Sequence, residues 1–215
     1  MTQSISSKIA TDLLKVKAVS LSPNKPYNWS SGIKAPIYTD NRITISYPKV
    51  RDDIAEGLAN LIKNKFPEVN VIGGVATAGI PHAALVAEKL NLPMIYVRSK
   101  PKDHGQGKQM EGVVDESSKV VLIDDLLSTG NSVLNAAKYL TDNHIKVLGV
   151  AAIFTYGLPD SFANFKKVGI DFDTLTDYPT IIKQAKMDNL ISEEESVSLS
   201  KWHQDPWNWK IFINC

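Results

Sequence analysis

Short apolar runs alternate with amphipathic stretches through most of the chain. The apolar runs are rich in Val, Ile and Leu, which is typical of strands that are buried on both faces of a sheet. They lie at residues 69–76, 94–98, 119–125, 146–154 and 171–176. In the other stretches apolar residues recur at three- and four-residue steps, which predicts helices. These stretches lie at residues 4–18, 48–66, 80–91 and 132–143.

This order of elements predicts an α/β fold, in which a mostly parallel sheet is flanked by helices. A further helix is expected near the C-terminal end, because Ser192 and Glu195 have the spacing of a capping box. Residues 22–42 hold so many Pro, Asn, Ser and Gly residues that no long element is expected there. About twenty residues between 98 and 119 show no hydrophobic period, and loops of that length in compact α/β domains tend to be functional or mobile.

Composition narrows the class of protein. The length of 215 residues suits one well-buried domain, and 24 Lys and Arg residues against 23 Asp and Glu residues leave a formal net charge of +1. That balance offers no global attraction to nucleic acid or to an anionic membrane. The single cysteine, Cys215, excludes an intramolecular disulfide, and no apolar run reaches the ~20 residues that span a bilayer. No signal-peptide pattern is found, so the expectation is a soluble cytoplasmic protein that binds neither nucleic acid nor membrane.

The sharpest chemical motif is residues 120–132, where a buried strand is expected to carry Asp124 and Asp125 to the carboxyl edge of the sheet. Small and hydroxyl-bearing residues follow and lead into a helix: Ser128, Thr129, Gly130, Asn131 and Ser132. Their N–H groups and hydroxyls, with the positive end of the helix dipole, favour a bound phosphate group. The carboxylates instead suit ribose hydroxyls, a divalent cation or a developing positive charge.

The alternative for this motif is an ordinary strand–loop–helix junction. Neither G-x-x-x-x-G-K-[ST] nor G-x-G-x-x-G occurs in the chain, so the motif is not a nucleotide P-loop or a dinucleotide fingerprint. Two adjacent acids at the end of a buried strand are nevertheless unusual in a purely structural junction. The pattern therefore favours a phosphate and sugar site.

The unpatterned loop is basic. Between residues 98 and 108 four cations oppose Asp103 alone, a local excess of about +3: Arg98, Lys100, Lys102 and Lys108. Glycines at 105, 107 and 112 supply hinges. A basic, hinged lid suits a pyrophosphate leaving group, because its cations neutralise charge on the departing oxygens and its closure excludes water. The alternatives are a solvated surface loop and a nucleic-acid patch.

The pattern V-V-L-I-D-D-L-L-S-T-G at residues 120–130 resembles the signature of type I phosphoribosyltransferases. The spacing R-S-K-x-K-x-H-G-x-G from residue 98 narrows the resemblance to orotate phosphoribosyltransferases, and residues 27–51 and 73–100 look like the bacterial type. The resemblance implies the type I phosphoribosyltransferase fold in a single domain over residues 1–215. This domain would comprise a hood segment at about 1–45 and a core at about 46–215 that carries a flexible lid at 99–112.

The activity implied by the resemblance is transfer of phosphoribosyl from 5-phosphoribosyl 1-diphosphate (PRPP) to orotate. The products would be orotidine 5′-monophosphate and pyrophosphate, in the biosynthesis of the pyrimidine nucleotide UMP. Mg²⁺ is implied as the cofactor, held mainly by PRPP, with Asp124 or Asp125 assisting and Asp124 as the preferred protein ligand. A homodimer is implied as well, in which each lid reaches into the site of the neighbouring subunit.

The resemblance also assigns roles to individual residues. It implies that the catalytic residues are Lys102, His104 and Asp125, with Lys102 as the catalytic lysine of the lid. Ser128 is expected to lie near orotate. The residues expected to bind PRPP are Arg98, Lys102, His104, Asp124, Asp125, Leu126, Leu127, Ser128, Thr129, Gly130, Asn131 and Ser132.

Two positions depart from the pattern of the family. Ser30 stands where many members carry a substrate-binding lysine, and residues 77–79 replace a second lysine. Lys25, Lys34 and Arg42 lie in the hood segment and could compensate for the first of these changes.

Other features leave alternatives open. Tyr38 either stacks on a pyrimidine ring or packs in the core. The Trp-rich segment at residues 201–212 is expected to pack against the domain or a neighbouring subunit. Two other functions remain possible on this sequence: transfer to another base, such as a purine, and a non-catalytic regulator that senses PRPP.

Overall fold

The structure is a computed structural model that describes residues 4–29, 31–98 and 109–210. Its helices are α1 (Ile5–Lys15), α2 (Pro48–Lys65), α3 (Gly79–Leu90), α4 (Asn131–Asp142), α5 (Pro159–Val168), α6 (Tyr178–Met187) and α7 (Glu193–Gln204), with a 3-10 helix at Asn41–Ser46. Its strands are β1 (Val19–Leu21), β2 (Tyr27–Asn28), β3 (Lys34–Ala35), β4 (Ile37–Thr39), β5 (Val71–Val75), β6 (Met94–Val97), β7 (Met110–Glu111), β8 (Lys119–Leu127), β9 (Lys146–Thr155) and β10 (Phe172–Asp177).

Six strands form the central sheet in the order β10–β9–β8–β5–β6–β7. The first five run parallel, and β7 pairs antiparallel with β6. Strands β8 and β9 lie in the interior of the sheet, and residues 120–123 of β8 have no exposed surface. The predicted α/β fold with a mostly parallel sheet flanked by helices is confirmed.

Helices cover both faces of the sheet, which explains the nearly unbroken apolar runs of its strands. Val121 and Ile123 of β8 point to a cluster that contains residues of α1, α2, α3, α6 and α7. Val120 and Leu122 point to the opposite cluster, which is built from α4 and α5. The period-two alternation along β8 therefore divides the core into two layers.

The structure differs from the sequence prediction at three places. Strand β8 does not end at the acids but continues to Leu127, because its pairing with β9 extends to the pair Leu127 and Thr155. Part of the unpatterned loop is ordered as β7, which pairs with Tyr96 and Val97. Helices α5 and α6 were not predicted, since each is short and each follows directly on a strand or its turn.

The hood segment consists of α1 followed by two small antiparallel ladders, β1 with β4 and β2 with β3. Ile9 and Leu13 of α1 are fully buried and belong to the same cluster as Ile181 of α6. The capping box predicted for α7 is present between Ser192 and Glu195. Within the described ranges, no helix combines the length and the hydropathy that a membrane span needs.

Candidate active site

Asp124 and Asp125 lie near the carboxyl end of β8, where the sheet meets the hood segment. Asp124 is only 8 % exposed, and its Oδ1 accepts the backbone N–H of Asp125 at 2.9 Å. Burial raises the pKa of Asp124 well above its ordinary value, and the neighbouring Asp125 carboxylate adds to this rise. Burial also raises the pKa of Asp125, although the nearby Arg42 guanidinium opposes the change. A buried carboxylate whose ionisation is disfavoured by burial and by an adjacent, half-buried carboxylate is typical of a functional site.

Asp124→Asn is expected to raise the melting temperature at neutral pH. The folded-state pKa is raised from 3.8, so the folded protein favours the neutral carboxyl, and the ionised one destabilises it increasingly as pH rises above the ordinary value. Asn is neutral at every pH and keeps the Oδ1 that accepts the Asp125 N–H. Thermal melts of both proteins at pH 8, 6 and 4 should show a gain that shrinks as pH falls. A gain of equal size at all three pH values would contradict this account.

The loop after β8 has the geometry expected of a phosphate cradle. Helix α4 begins at Asn131, and Gly130 at its N-cap has φ +78°, with no side chain capping the first turn. Asn164 of α5 donates its Nδ2–H to the carbonyl oxygen of Thr129 at 3.0 Å and so braces the loop. The backbone N–H groups of the first turn of α4 remain available to an anion, which the helix dipole also favours.

The predicted phosphate-binding residues differ in how far their side chains are exposed to solvent. Asn131 and Ser132 are exposed, and Ser128 and Thr129 are half-buried. Leu127 is fully buried against the α4 cluster, so only its backbone could face a ligand. The structure therefore brings residues 128–132 together at one edge of the sheet, beside the two acids.

A second turn lies at the same edge of the sheet, after β5. Because β5 pairs with β8 through Gly74 and Ile123, the turn at residues 76–79 lies next to the acids. This turn contains a cis peptide bond between Ala76 and Thr77, and Thr77 is exposed. A Cβ on Gly79 would overlap the carbonyl oxygen of Ile123, so only glycine lets α3 begin directly against β8.

The hood segment contributes residues that the sequence analysis did not single out as a group. The side chain of Asn41 is fully buried and donates its Nδ2–H to the carbonyl oxygen of Asp125 at 2.7 Å. Arg42 donates Nε–H and Nη2–H to the two carboxylate oxygens of Asp40, at 2.6 and 2.8 Å, and its side chain remains 65 % exposed. This bidentate pair holds the guanidinium in a defined orientation near Asp125.

Tyr38 is 47 % exposed and packs against Tyr27, with ring centroids 5.5 Å apart. The alternative that Tyr38 packs in the core is therefore wrong, and an aromatic face remains available at the hood. The charge of Arg42 is close enough to Tyr38 for the two groups to interact.

Tyr156, which the sequence analysis did not identify, lies directly after β9 and is almost fully buried. Its N–H donates to the carbonyl oxygen of Leu127, and its hydroxyl faces Thr39 of the hood segment. Burial raises the pKa of Tyr156, and the nearby Asp125 carboxylate adds to this rise. No motif marks this tyrosine, because its place beside Asp125 depends on the pairing of β8 with β9.

The base of the predicted lid is the β6–β7 ladder. The N–H of Arg98 donates to the carbonyl oxygen of Gln109 at 2.8 Å, and its guanidinium lies 3.6 Å from the Glu111 carboxylate. The predicted catalytic residues Lys102 and His104 lie outside the described residues, as do Lys100, Lys108, Gly105 and Gly107. Of the lid residues expected to bind PRPP, the structure therefore places only Arg98.

The part of the chain that the structure describes contains no group of three or more His, Cys, Asp or Glu side chains that could hold a metal ion. Asp124 and Asp125 are adjacent carboxylates, and carboxylate oxygens are ligands that Mg²⁺ prefers. Mg²⁺ usually keeps several waters and is bound through one or two carboxylates together with substrate phosphates. The acid pair fits a cation that is held largely by its substrate.

The edge of the parallel sheet carries two carboxylates, an uncapped helix N-terminus and a second turn. This arrangement is typical of α/β proteins that bind phosphorylated ligands. A family model described as "Phosphoribosyl transferase domain" matches residues 45–178. The orotate phosphoribosyltransferase of Levilactobacillus brevis is 58% identical over 202 residues, which are 94% of this chain and 96% of that protein. That of Enterococcus faecalis is 57% identical, over 95% of this chain and 98% of that protein.

Solved structures show the same fold. The orotate phosphoribosyltransferase from Aeropyrum pernix superposes with a TM-score of 0.72 at 24% identity, over 83% of this chain and 99% of that one. UMP synthase from Leishmania donovani gives a TM-score of 0.79 at 23% identity, over 93% of this chain and 42% of that one. The chain belongs to the phosphoribosyltransferase family and, within it, to the orotate phosphoribosyltransferases. The expected family and the type I fold are thereby confirmed.

Proposed function

We propose that the protein transfers phosphoribosyl from PRPP to orotate, giving orotidine 5′-monophosphate and pyrophosphate in pyrimidine biosynthesis. The observation that carries this proposal is the β8–loop–α4 unit, which places two carboxylates beside an uncapped helix N-terminus. The choice of orotate rests on relatives named as orotate phosphoribosyltransferases that share 52% to 58% of their residues with nearly all of this chain.

The reaction breaks the bond between ribose C1 and the diphosphate oxygen, so positive charge develops on the sugar. In our proposal Asp124 and Asp125 face the ribose hydroxyls and stabilise that charge. Residues 128–132 hold the 5-phosphate through backbone N–H groups and hydroxyls, and Ser128 also lies near orotate. Backbone groups of Leu126 and Leu127 complete this side of the PRPP site.

On the other side of the bond, negative charge develops on the diphosphate. We assign Arg98, Lys102 and His104 to its stabilisation, with Lys102 and His104 acting electrostatically or by donating a proton. Mg²⁺, when bound, supplies further neutralisation of the diphosphate, and Asp124 is its proposed protein ligand. Closure of the lid at residues 99–112 over the site would exclude water.

The proposal includes a homodimer in which the lid of each subunit reaches the site of its neighbour, within a single-domain cytoplasmic enzyme. Sedimentation equilibrium with and without PRPP tests the oligomeric state directly.

The activity is tested by measuring pyrophosphate release from PRPP and Mg²⁺ with orotate, adenine or hypoxanthine. Pyrophosphate release with orotate, but with neither adenine nor hypoxanthine, supports the proposal. Release with a purine would assign the protein to another base, and binding of PRPP without any release would favour a regulator.

We propose that Arg42 compensates for the lysine that Ser30 replaces. Asp40 orients its guanidinium, most of the side chain is exposed, and the exposed ring of Tyr38 lies close by. Bidentate pairing with Asp40 uses Nε and one Nη2 proton, which leaves the Nη1 protons and the second Nη2 proton free to donate. We infer that orotate stacks on Tyr38 and that its carboxylate pairs with Arg42.

Arg42→Gln is therefore expected to raise the KM for orotate about tenfold, the lower end for loss of a charge-assisted hydrogen bond at a partly exposed site. The KM for PRPP should change much less. Initial rates with each substrate varied in turn give both values. Lys49→Gln, which removes an exposed lysine paired with Asp53 on α2, serves as the control. An unchanged KM for orotate in Arg42→Gln would exclude Arg42 from the base site.

A further inference from the structure

We propose that the C-terminal helix α7 positions the hood segment for orotate, and that Trp202 is the residue through which it acts. This inference rests on the proposed function, because it concerns the substrate that the hood receives. It also accounts for Trp202 of the Trp-rich segment, which packs against the domain, one of the two alternatives that the sequence left open.

The hood strands need support from outside themselves. Strands β2 and β3 are two residues long, and β1 and β4 are three residues long. Isolated antiparallel pairs, even longer ones, are only marginally stable in water. The position of these strands must therefore be set by what packs against them.

Two indole groups provide this support. The side chain of Trp202 has no exposed surface, and its Nε1–H donates to the carbonyl oxygen of Lys34 in β3 at 3.0 Å. Trp29, next to β2, donates its Nε1–H to the carbonyl oxygen of Ile37 in β4 at 3.1 Å. The two rings meet edge to face with centroids 5.6 Å apart. Adjacent hood strands are thus held by a pair of indoles, one of which belongs to α7.

The two indole rings also contact Tyr156, which lies beside the edge of the sheet that carries the two acids. The ring of Tyr156 lies 4.7 Å from Trp29 and 6.3 Å from Trp202, centroid to centroid. The next residue of α7, His203, places its Nε2 2.7 Å from the carbonyl oxygen of Tyr156, so that nitrogen carries the donated proton. Helix α7 therefore holds the hood through Trp202 and the end of β9 through His203. This sets the separation between Tyr38 and Asp125.

Helix α7 is itself firmly seated. Its capping box is complete, and the hydroxyl of Tyr178 donates to the carbonyl oxygen of Leu199 at 2.9 Å. The rings of Tyr178 and Trp202 are 5.3 Å apart, and Asn24 of the hood donates to Glu195 at 3.0 Å. Because α7 is rigid and contacts both the hood and the core, it fixes the position of the hood strands relative to the core.

The test is Trp202→Phe, which keeps an aromatic ring and removes the N–H that Lys34 accepts. Leaving that carbonyl unpaired lets β3 shift, and we expect the KM for orotate to rise about tenfold. The KM for PRPP should stay within about twofold, because residues 128–132 are braced by α5 instead. Trp29→Phe removes the second indole N–H and should have a similar effect.

Trp207→Phe is the matched control, since that indole is 64 % exposed and lies beyond the end of α7. It should leave both KM values unchanged. Equal rises in both KM values with Trp202→Phe, or a fall in melting temperature with no change in the orotate KM, would show a merely structural role and overturn the proposal.

Hydrogen–deuterium exchange separates this proposal from the proposed function. Exchange over residues 27–39 should be faster in Trp202→Phe than in the wild-type protein, and unchanged in Trp207→Phe. If the wild-type protein shows no orotate-dependent pyrophosphate release, the proposed function fails while this measurement still reports the support of the hood. Unchanged exchange in both Trp202→Phe and Trp29→Phe would overturn the positioning role whatever the activity.

Discussion

Asp125→Asn lowers kcat about a hundredfold at saturating PRPP and orotate, in our expectation. The substitution keeps the shape of the side chain but removes the negative charge that faces the sugar as its bond to the diphosphate breaks. Losing one preorganised electrostatic partner of a transition state typically costs this much. The backbone carbonyl that accepts the Asn41 amide is untouched, so the hood contact survives. Steady-state pyrophosphate release gives kcat.

A stability measurement distinguishes this loss from unfolding. Burial raises the pKa of Asp125, so replacing it by a neutral residue should leave the melting temperature unchanged or raise it. Asp142→Asn, on the exposed end of α4 where it pairs with Lys138, is the control and should alter neither kcat nor stability appreciably. If kcat remains within about twofold of the wild-type value, Asp125 does not stabilise the transition state.

The second large effect is expected for Gly130→Ala, in the loop at residues 128–132 that is proposed to hold the 5-phosphate. Gly130 has φ +78°, and an added Cβ would lie 2.5 Å from Cε2 of Phe165. Left-handed backbone costs about 1–2 kcal/mol for an L-residue, and overpacking a filled core costs about 1–3 kcal/mol. We expect the free energy of unfolding to fall by about 3 kcal/mol and the affinity for PRPP to fall with it. Urea unfolding and PRPP titration measure the two quantities.

Gly169→Ala provides a matched comparison, because Gly169 has φ +73° and nothing lies within 4 Å of the position of its Cβ. The free energy of unfolding of Gly169→Ala should fall only by the cost of the left-handed backbone, about 1 kcal/mol. Phe165→Leu combined with Gly130→Ala should recover part of the loss by making room. Equal destabilisation by the two single substitutions would show that contact with Phe165 does not limit this position.

Much of the fold could be predicted from local patterns. The five parallel strands follow from unbroken apolar runs, and α1 to α4 follow from apolar residues at three- and four-residue steps. The capping box at Ser192 and Glu195 marks α7 correctly. The hydrophobic pattern was less informative where pairing between strands sets the bounds of an element. The register with β9 extends β8 to Leu127, and pairing with β6 orders β7 inside a segment that has no period of its own.

The candidate site divides in the same way. Asp124, Asp125 and residues 128–132 are contiguous, so their chemistry is readable without a structure. Asn41, Tyr156 and Trp202 carry no motif, and each reaches its neighbours through contacts between segments that are distant in the chain. Tyr38 was ambiguous because an aromatic residue in a turn-rich segment suits either a core or a binding face, and only its exposure decides between them.

The α/β class, the acid and phosphate-loop motif and the resemblance to the family could all be read from the order of the amino acids. These depend on residue type and on spacing within short segments, where local geometry follows directly from the chain. The folded chain was needed to show how the hood meets the acids, which cation lies beside Tyr38 and what the C-terminal helix supports. Two of these relations arise from hydrogen bonds between segments that are far apart in sequence, from Asn41 to the carbonyl oxygen of Asp125 and from Trp202 to that of Lys34, and no local pattern encodes them.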